Sequence, residues 1–216
     1  MVKLNILDTR FYAVVDRLSN LFILNIFWIL SCLPIVTIVP ATTAMFSVVR
    51  QWQLHQDTSV VRNYFRYLKE NFKQGFMIGL IWISLSVLLY FNYFYLNQDH
   101  SGAKFIIVVP LLLISLLFTG TSAYLFSVMS HYEMSWKRAI TSSFFMAIAN
   151  FPITLLIMGV FVLLVVVLMY LPVFTLILFS LGAYINFSLC NRVFQKMEPS
   201  DVSDHLSKVS KKYKPL

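Results

Sequence analysis

Residues 139–191 are AITSSFFMAIANFPITLLIMGVFVLLVVVLMYLPVFTLILFSLGAYINFSLCN, a stretch without a single Asp, Glu, Lys or Arg. One transmembrane helix needs only about 20 apolar residues, so the stretch is long enough for two. Leu171-Pro172 is the natural break between them, because proline does not continue a helix. The stretch therefore predicts a pair of membrane-spanning helices joined by a short turn.

Three earlier stretches also lack charge, namely Leu18–Val49, Gln74–Gln98 and Phe105–Tyr132. The second and the third each hold one membrane helix. The first is long for one helix and short for two, and the two prolines at 34 and 40 interrupt it. Two arrangements are open: one helix followed by an irregular re-entrant segment, or a tight helical hairpin that crosses twice.

Composition supports lipid as the solvent for this chain. Of its 216 residues, 59% are hydrophobic and 12% are charged. Soluble domains average about 45–50% apolar and about 25% charged residues. A water-soluble fold of this length could not bury so much apolar surface. We therefore expect an all-α, polytopic transmembrane helical bundle with five to six membrane segments and short cytoplasmic amphipathic helices.

The formal net charge of +8 is concentrated between the apolar stretches. In a soluble protein such a charge would suggest nucleic acid, but in a membrane protein basic links face the cytoplasm. Basic residues dominate the links 50–73 and 133–138 and the tail from residue 192, whereas 99–104 and 170–172 are short and not basic. This pattern predicts a multi-pass cell-membrane protein with a cytoplasmic C-terminus and no nucleic-acid partner.

The first stretch decides the side of the N-terminus. A double crossing places it inside, which suits Lys3, Arg10 and Arg17, and a single crossing places it outside. A weak threefold repeat favours the double crossing, because similar segments follow Pro34, Pro110 and Pro172. Chance in a biased composition explains that pattern equally well.

Two amphipathic segments precede apolar stretches. In the first, Val61, Tyr64, Phe65, Leu68 and Phe72 follow helical spacing, and basic residues occupy mostly other faces. A basic amphipathic helix of this kind lies in the membrane interface. The second and shorter segment starts at Ser135. The predicted contacts with a partner or the membrane surface are Arg62, Arg66, Lys69, Lys73, Trp136, Lys137 and Arg138.

Domain organisation follows from the same pattern. Residues 1–198 form one transmembrane helical domain, and residues 199–216 form a basic cytoplasmic tail that we expect to be mobile.

Sequence motifs give no sign of catalysis. The four histidines are scattered, no partner stands at metal-ligand spacing, and no Walker A or serine-hydrolase pattern occurs. No ionisable acid or base lies deep within an apolar stretch, which argues against a proton-coupled carrier. We therefore predict no catalytic, cofactor-binding or metal-binding residue and no enzyme activity.

Uncharged polar residues do occur within the apolar stretches. They could line a path for a sugar-like solute, but interhelical hydrogen bonds are the favoured explanation. The residues are Asn25, Ser31, Thr37, Asn92, Ser115, Thr119, Asn150 and Asn186. Gly75 and Gly79 form a G-x-x-x-G motif, which lets two helices approach closely, by default within one chain.

The segments Leu24–Leu30, Cys32–Ile38 and Pro40–Met45 resemble the YesL family of bacterial membrane proteins. Asn71–Gln74 resembles the second segment of the same family. The residues that carry the family motif are Leu33, Pro34, Val36, Thr37, Pro40, Ala41 and Ala44. Val39 stands where many relatives have glycine.

The resemblance implies a function that the composition does not. Members of this largely uncharacterised family are commonly encoded beside carbohydrate ABC importers, so it implies an accessory membrane component in carbohydrate uptake or its regulation. The implied partners are the lipid bilayer and the permease or ATPase subunits of an importer. Association into a homo-oligomer is a further alternative. A self-sufficient carrier or channel for a neutral solute is the alternative.

Overall fold

The computed structural model describes residues 6–54, 59–98, 104–132, 134–171 and 174–212, and all their regular elements are helices. Side chains at 6–11, 13, 97, 104–105 and 197–212 lie outside the description, as does the predicted external link 99–103. The helices are α1 (Ile6–Ser31), α2 (Ile38–Leu54), α3 (Val60–Gln98), α4 (Lys104–His131), α5 (Trp136–Ala149), α6 (Phe151–Tyr170) and α7 (Thr175–Lys212).

Five of the described helices, α1, α3, α4, α6 and α7, are long and apolar enough to cross a membrane. Apolar side chains are exposed on the outward faces of these helices. On α6, for example, Val162 and Leu163 are 64% and 61% exposed. Such surfaces are stable in lipid and unfavourable in water. The predicted all-α membrane bundle with five to six segments is confirmed.

A tight hairpin joins α1 to α2 through Cys32–Thr37, as in the second arrangement, but only α1 is among the helices long and apolar enough to cross. The Thr37 hydroxyl lies within hydrogen-bond distance of two carbonyls, that of Ser31 at the open end of α1 and that of Pro34 in the turn. Leu33 stands at the tip and is 76% exposed, and Pro34 and Val36 are exposed with it. This half of the family motif thus forms the turn.

The double crossing favoured for the first stretch is not supported. Helix α2 has only 17 residues, and it is not among the five crossing helices. It pairs instead with the charged first half of α3, because α2 and α3 are joined by residues 55–59 and Gly75 lies against Pro40. A helix beside the charged half of its neighbour does not need to span the bilayer.

The second half of the family motif fits α2 against α3. Pro40, Ala41 and Ala44 are buried, and small side chains on a helix let the neighbouring backbone come close. At Gly75, an added Cβ would stand 2.8 Å from the Cα of Pro40. At Gly79, it would stand 3.4 Å from the Cβ of Val39. The glycine motif therefore serves packing within the chain, as predicted.

The first amphipathic segment is helical, but it is not a separate helix. It forms the opening turns of α3, which continues for 39 residues, or about 58 Å at about 1.5 Å per residue. No Pro interrupts residues 60–98, and Gly75 and Gly79 are accommodated within the helix, so one helix runs through both segments. This length exceeds the ~30 Å hydrocarbon layer.

The second amphipathic segment is a helix of its own. Helix α5 begins at Trp136 after Ser135, as predicted, and ends at Asn150, where the chain bends into α6. The Thr154 hydroxyl donates to the Ala147 carbonyl across the bend. The break at Leu171 is confirmed by the end of α6, and Pro172 lies outside the described residues.

Helix α7 runs to Lys212, so the backbone of the predicted tail is helical up to that residue. The side chains beyond residue 196 and the whole of residues 213–216 lie outside the description. Mobility of the tail from residue 199 stays a prediction.

Polar side chains within the bundle bond to backbone carbonyls. Asn25 donates to the Thr175 carbonyl at 2.6 Å, and Asn186 donates to the Ala123 carbonyl at 3.2 Å, so each joins two helices. Asn92, Ser115 and Thr119 donate to carbonyls one turn earlier in their own helices. The two asparagine bonds match the predicted interhelical hydrogen bonds, whereas the other three stay within one helix.

Candidate ligand cavity and basic surface

Four of the predicted contact residues form one exposed surface on α3. Arg62, Arg66, Lys69 and Lys73 follow a spacing of four, three and four residues, so they lie on one helical face. All four are exposed. We call this surface the basic stripe.

Apolar side chains flank the basic stripe. Tyr64 is fully buried, whereas Val61, Phe65 and Phe72 are 48%, 50% and 42% exposed. The predicted apolar face is therefore divided: Tyr64 enters the core, Leu68 packs against the core, and the other three remain exposed. A surface with adjacent charged and apolar residues suits contact with a protein or with lipid headgroups.

Tyr67 anchors the basic stripe to the body of the protein. Its hydroxyl accepts from Arg66 at 3.1 Å and donates to the Gln51 side chain on α2 at 3.1 Å. The Arg66 guanidinium also lies 4.8 Å from the centre of the Tyr67 ring. The ring and the hydroxyl together restrict the position of one member of the stripe.

The other predicted contacts lie at the start of α5. The Lys137 ammonium lies 5.2 Å from the centre of the Trp136 ring, and both Lys137 and Arg138 are exposed. Of all seven predicted contacts, Arg138 alone lines the cavity described next.

A polar cavity of about 560 Å³ opens where α2, α3, α4 and the start of α5 meet. It joins the two segments that the charge pattern predicts on the same side of the membrane. We call it the arginine cavity. Its lining residues are Ser47, Arg50, Tyr67, Glu70, Asn71, Gln74, Met129, Ser130, His131, Tyr132, Met134, Ser135 and Arg138.

Hydrogen bonds hold the walls of the arginine cavity. The Gln74 amide donates to the Met134 carbonyl at 2.9 Å and so joins α3 to the segment before α5. The Asn71 amide donates to the Tyr67 carbonyl at 3.0 Å. On the opposite wall, the His131 ring stacks on Phe194 with 4.8 Å between ring centres.

Arg50 is the residue of this site that sequence reasoning missed. In the sequence, Arg50 is only one of several basic residues in the link 50–73. The structure places it in the wall of the cavity. Its Nε atom is buried and has no hydrogen-bond partner within the described part of the chain. The available signal was its position at the end of an apolar stretch.

Two further concavities are present among the described residues. One of about 620 Å³ lies between α1, α2 and α7, and Arg17, Trp52 and Tyr184 line part of it. The other, of about 320 Å³, is a mainly apolar groove between the second half of α3 and the first half of α4.

Reactive groups are sparse in the part of the chain that the structure describes. It contains no cluster of three or more His, Cys, Asp or Glu residues that could hold a metal ion. Burial raises the pKa of the Cys32 thiol to about 11, so this group stays protonated at neutral pH.

Five helices of membrane-spanning length, with charged surfaces and a polar cavity at the charged end of α3, define a multi-pass helical membrane protein. A family described as "Protein of unknown function, DUF624" matches residues 21–93. The uncharacterized protein YesL of Bacillus subtilis is 30% identical over 148 residues, which cover 68% of this chain and 69% of YesL. The chain belongs to this YesL-like family.

Two other uncharacterized proteins of Bacillus subtilis are also similar. YteU is 25% identical over 191 residues, covering 88% of this chain and 86% of its own length. YesV is 28% identical over 102 residues, covering 47% of this chain and 49% of its own length. No solved structure matches the chain significantly. The segment that matches the family includes the hairpin turn, the Pro40–Gly75 contact and the basic stripe.

Proposed function

We propose that this protein is a non-enzymatic accessory component of a carbohydrate import system of the ABC type. It would act in the bacterial plasma membrane with its C-terminus in the cytoplasm. The observation that carries the proposal is the basic stripe: four cations on one face of α3, all exposed. The resemblance to a family commonly encoded beside such importers supplies the kind of partner.

The continuity of α3 favours a protein as the partner of the stripe. Residues 60–74 continue without a break into a membrane-crossing stretch, so they project from the bilayer instead of lying in its plane. A projecting helix presents its side chains to a neighbouring subunit. The flanking Val61 and Phe65 add apolar area, and aromatic anchors with nearby arginines are typical of protein interfaces.

The carrier alternative has less support. Most of the polar residues that suggested a solute path, Asn186 among them, donate to backbone carbonyls. The glycine motif that could have joined two copies is occupied by Pro40 of the same chain. Self-association stays open on other surfaces.

Reversing two charges of the stripe tests the proposal. We expect the Arg62→Glu, Arg66→Glu double variant to reduce recovery of importer permease and ATPase subunits at least about tenfold, because like charges across an interface repel. Affinity purification at native expression, followed by mass spectrometry, measures this recovery.

A matched control keeps the same change of charge on another helix. The Arg192→Glu, Lys196→Glu double variant reverses two exposed cations of α7, and we expect it to recover the subunits as the parent does. If the parent chain itself recovers no permease or ATPase subunit, the proposed function is wrong.

A further inference from the structure

We infer that the arginine cavity binds a small polar ligand through an anionic group, a phosphate or a carboxylate. The inference goes beyond the proposed function, because it concerns a different surface from the basic stripe and requires no protein partner. Three features carry it: the two arginines, the balance of charge on the wall, and the size and polarity of the remaining lining.

Arg50 is the anchor of the site. Its Nε atom is buried without a hydrogen-bond partner in the described chain. Native proteins rarely leave a buried donor unpaired, because its lost hydration is costly. A guanidinium presents a planar fork that matches the oxygens of a carboxylate or a phosphate. The enclosed Nε lies out of reach of a ligand, so an anion in the cavity would bond to the terminal nitrogens of the Arg50 fork.

Arg138 gives the cavity a second cation from another helix. It is exposed at the first turn of α5, whereas Arg50 comes from the second half of α2. Glu70 is the one acidic residue among the described lining residues. The lining therefore has a cationic excess, which attracts anions and disfavours cationic ligands.

The rest of the lining suits a hydroxylated molecule. Serine hydroxyls, side-chain amides and two tyrosines surround the arginines, and Glu70 can accept from a ligand hydroxyl. The volume of about 560 Å³ lies within the range of about 300–1,000 Å³ typical of small-molecule sites. A monosaccharide that bears a phosphate or a carboxylate has this size and chemistry.

The anionic group could also belong to a lipid headgroup, because the cavity lies at the charged end of a membrane-crossing helix. Both sources present the same phosphate oxygens to the two arginines. The experiment therefore has a soluble arm and a lipid arm.

In the soluble arm, the purified full chain in phosphatidylcholine nanodiscs is titrated with glucose 6-phosphate, glucuronate and glucose by calorimetry. We expect one of the two anions to bind and glucose not to bind. Arg50→Gln and Arg138→Gln should each weaken binding at least about tenfold, because hydrogen bonds to charged groups are the stronger ones. Arg192→Gln, at an exposed position of α7 outside the cavity lining, should bind as the parent does.

In the lipid arm, thermal stability is compared between phosphatidylglycerol and phosphatidylcholine nanodiscs. If the headgroup is the ligand, the anionic lipid stabilises the parent and Arg192→Gln, but neither cavity variant. Should Arg50→Gln fail to fold, Arg138→Gln decides both arms, because its side chain is exposed and its loss leaves the core intact.

The inference is overturned if neither the soluble anions nor the anionic lipid has an effect that depends on the two cavity arginines. Because the purified chain is tested alone, that result would leave the proposed partner contact untouched. Failure to recover importer subunits in affinity purification would, in turn, not affect the inference that the cavity binds an anion.

Discussion

The Val162→Lys variant should fail to accumulate as a folded protein in the membrane. Val162 lies near the middle of α6 and is 64% exposed on a helix with a mean hydropathy of 3.0. A lysine at the centre of a membrane helix costs about 2.5–3.5 kcal/mol on insertion scales. Size-exclusion chromatography of detergent-extracted membranes measures the folded yield.

A second lysine variant separates the effect of lipid from that of exposure alone. Val61 is 48% exposed, but it lies beside Arg62 on the charged first turn of α3. Val61→Lys should accumulate as the parent does, because water or headgroups surround this turn. Equal yields of the two variants would contradict a lipid environment for α6.

Gly75→Ala should destabilise the bundle by about 1–3 kcal/mol, the usual cost of inserting a methyl group into a close-packed site. The added Cβ would stand 2.8 Å from the Cα and 3.0 Å from the N atom of Pro40. Backbone atoms cannot turn aside as a flexible side chain can, so α2 and α3 must separate. Thermal unfolding in a single detergent measures the loss.

Two other glycines of the chain provide matched controls. At Gly159, an added Cβ would meet nothing within 4 Å, so Gly159→Ala should be neutral or slightly stabilising, since alanine favours helix. At Gly79, the nearest atom is a side-chain carbon at 3.4 Å, and we expect an intermediate effect. If Gly75→Ala unfolds at the same temperature as Gly159→Ala, the close contact is not present.

Local signals in the sequence were sufficient to predict much of the fold. The charge-free stretches predicted the crossing helices. Leu171-Pro172 predicted the break after α6, and Ser135 predicted the start of α5. Each depends on the composition of a window or on one residue with strong backbone preferences. The glycine motif at 75–79 also predicted its own close contact.

Features that depend on packing were not predictable in the same way. Pro110 belongs to the same weak repeat as Pro34 and Pro172, yet it lies inside α4, as neighbouring helices and local adjustments allow in membrane proteins. The length of α2 depends on its packing against α3, which it contacts at Gly75 and Gly79. The bend at Asn150 does carry a local signal, because Pro152 stands in the first turn of α6, but the prediction did not use it.

The candidate site was predicted only in part. Helical spacing gave the basic stripe, because a periodic pattern on one helix is local information. The arginine cavity combines residues from α2, α3, α4 and α5, which are distant in the chain. Arg138 was predicted as a surface contact and Arg50 only as a charge, because nothing local shows which distant segments will meet.

The central claim is that the charged first half of α3 faces the cytoplasm and its far end faces the exterior. Lys69 and Gln98 are both exposed and lie in the two halves of this helix. Lys69→Cys and Gln98→Cys would be treated with a membrane-impermeant maleimide in intact and in permeabilised bacteria, with the parent chain as the blank for Cys32 and Cys190. We expect labelling of Gln98→Cys in intact cells and of Lys69→Cys only after permeabilisation; labelling of Lys69→Cys in intact cells would contradict the account.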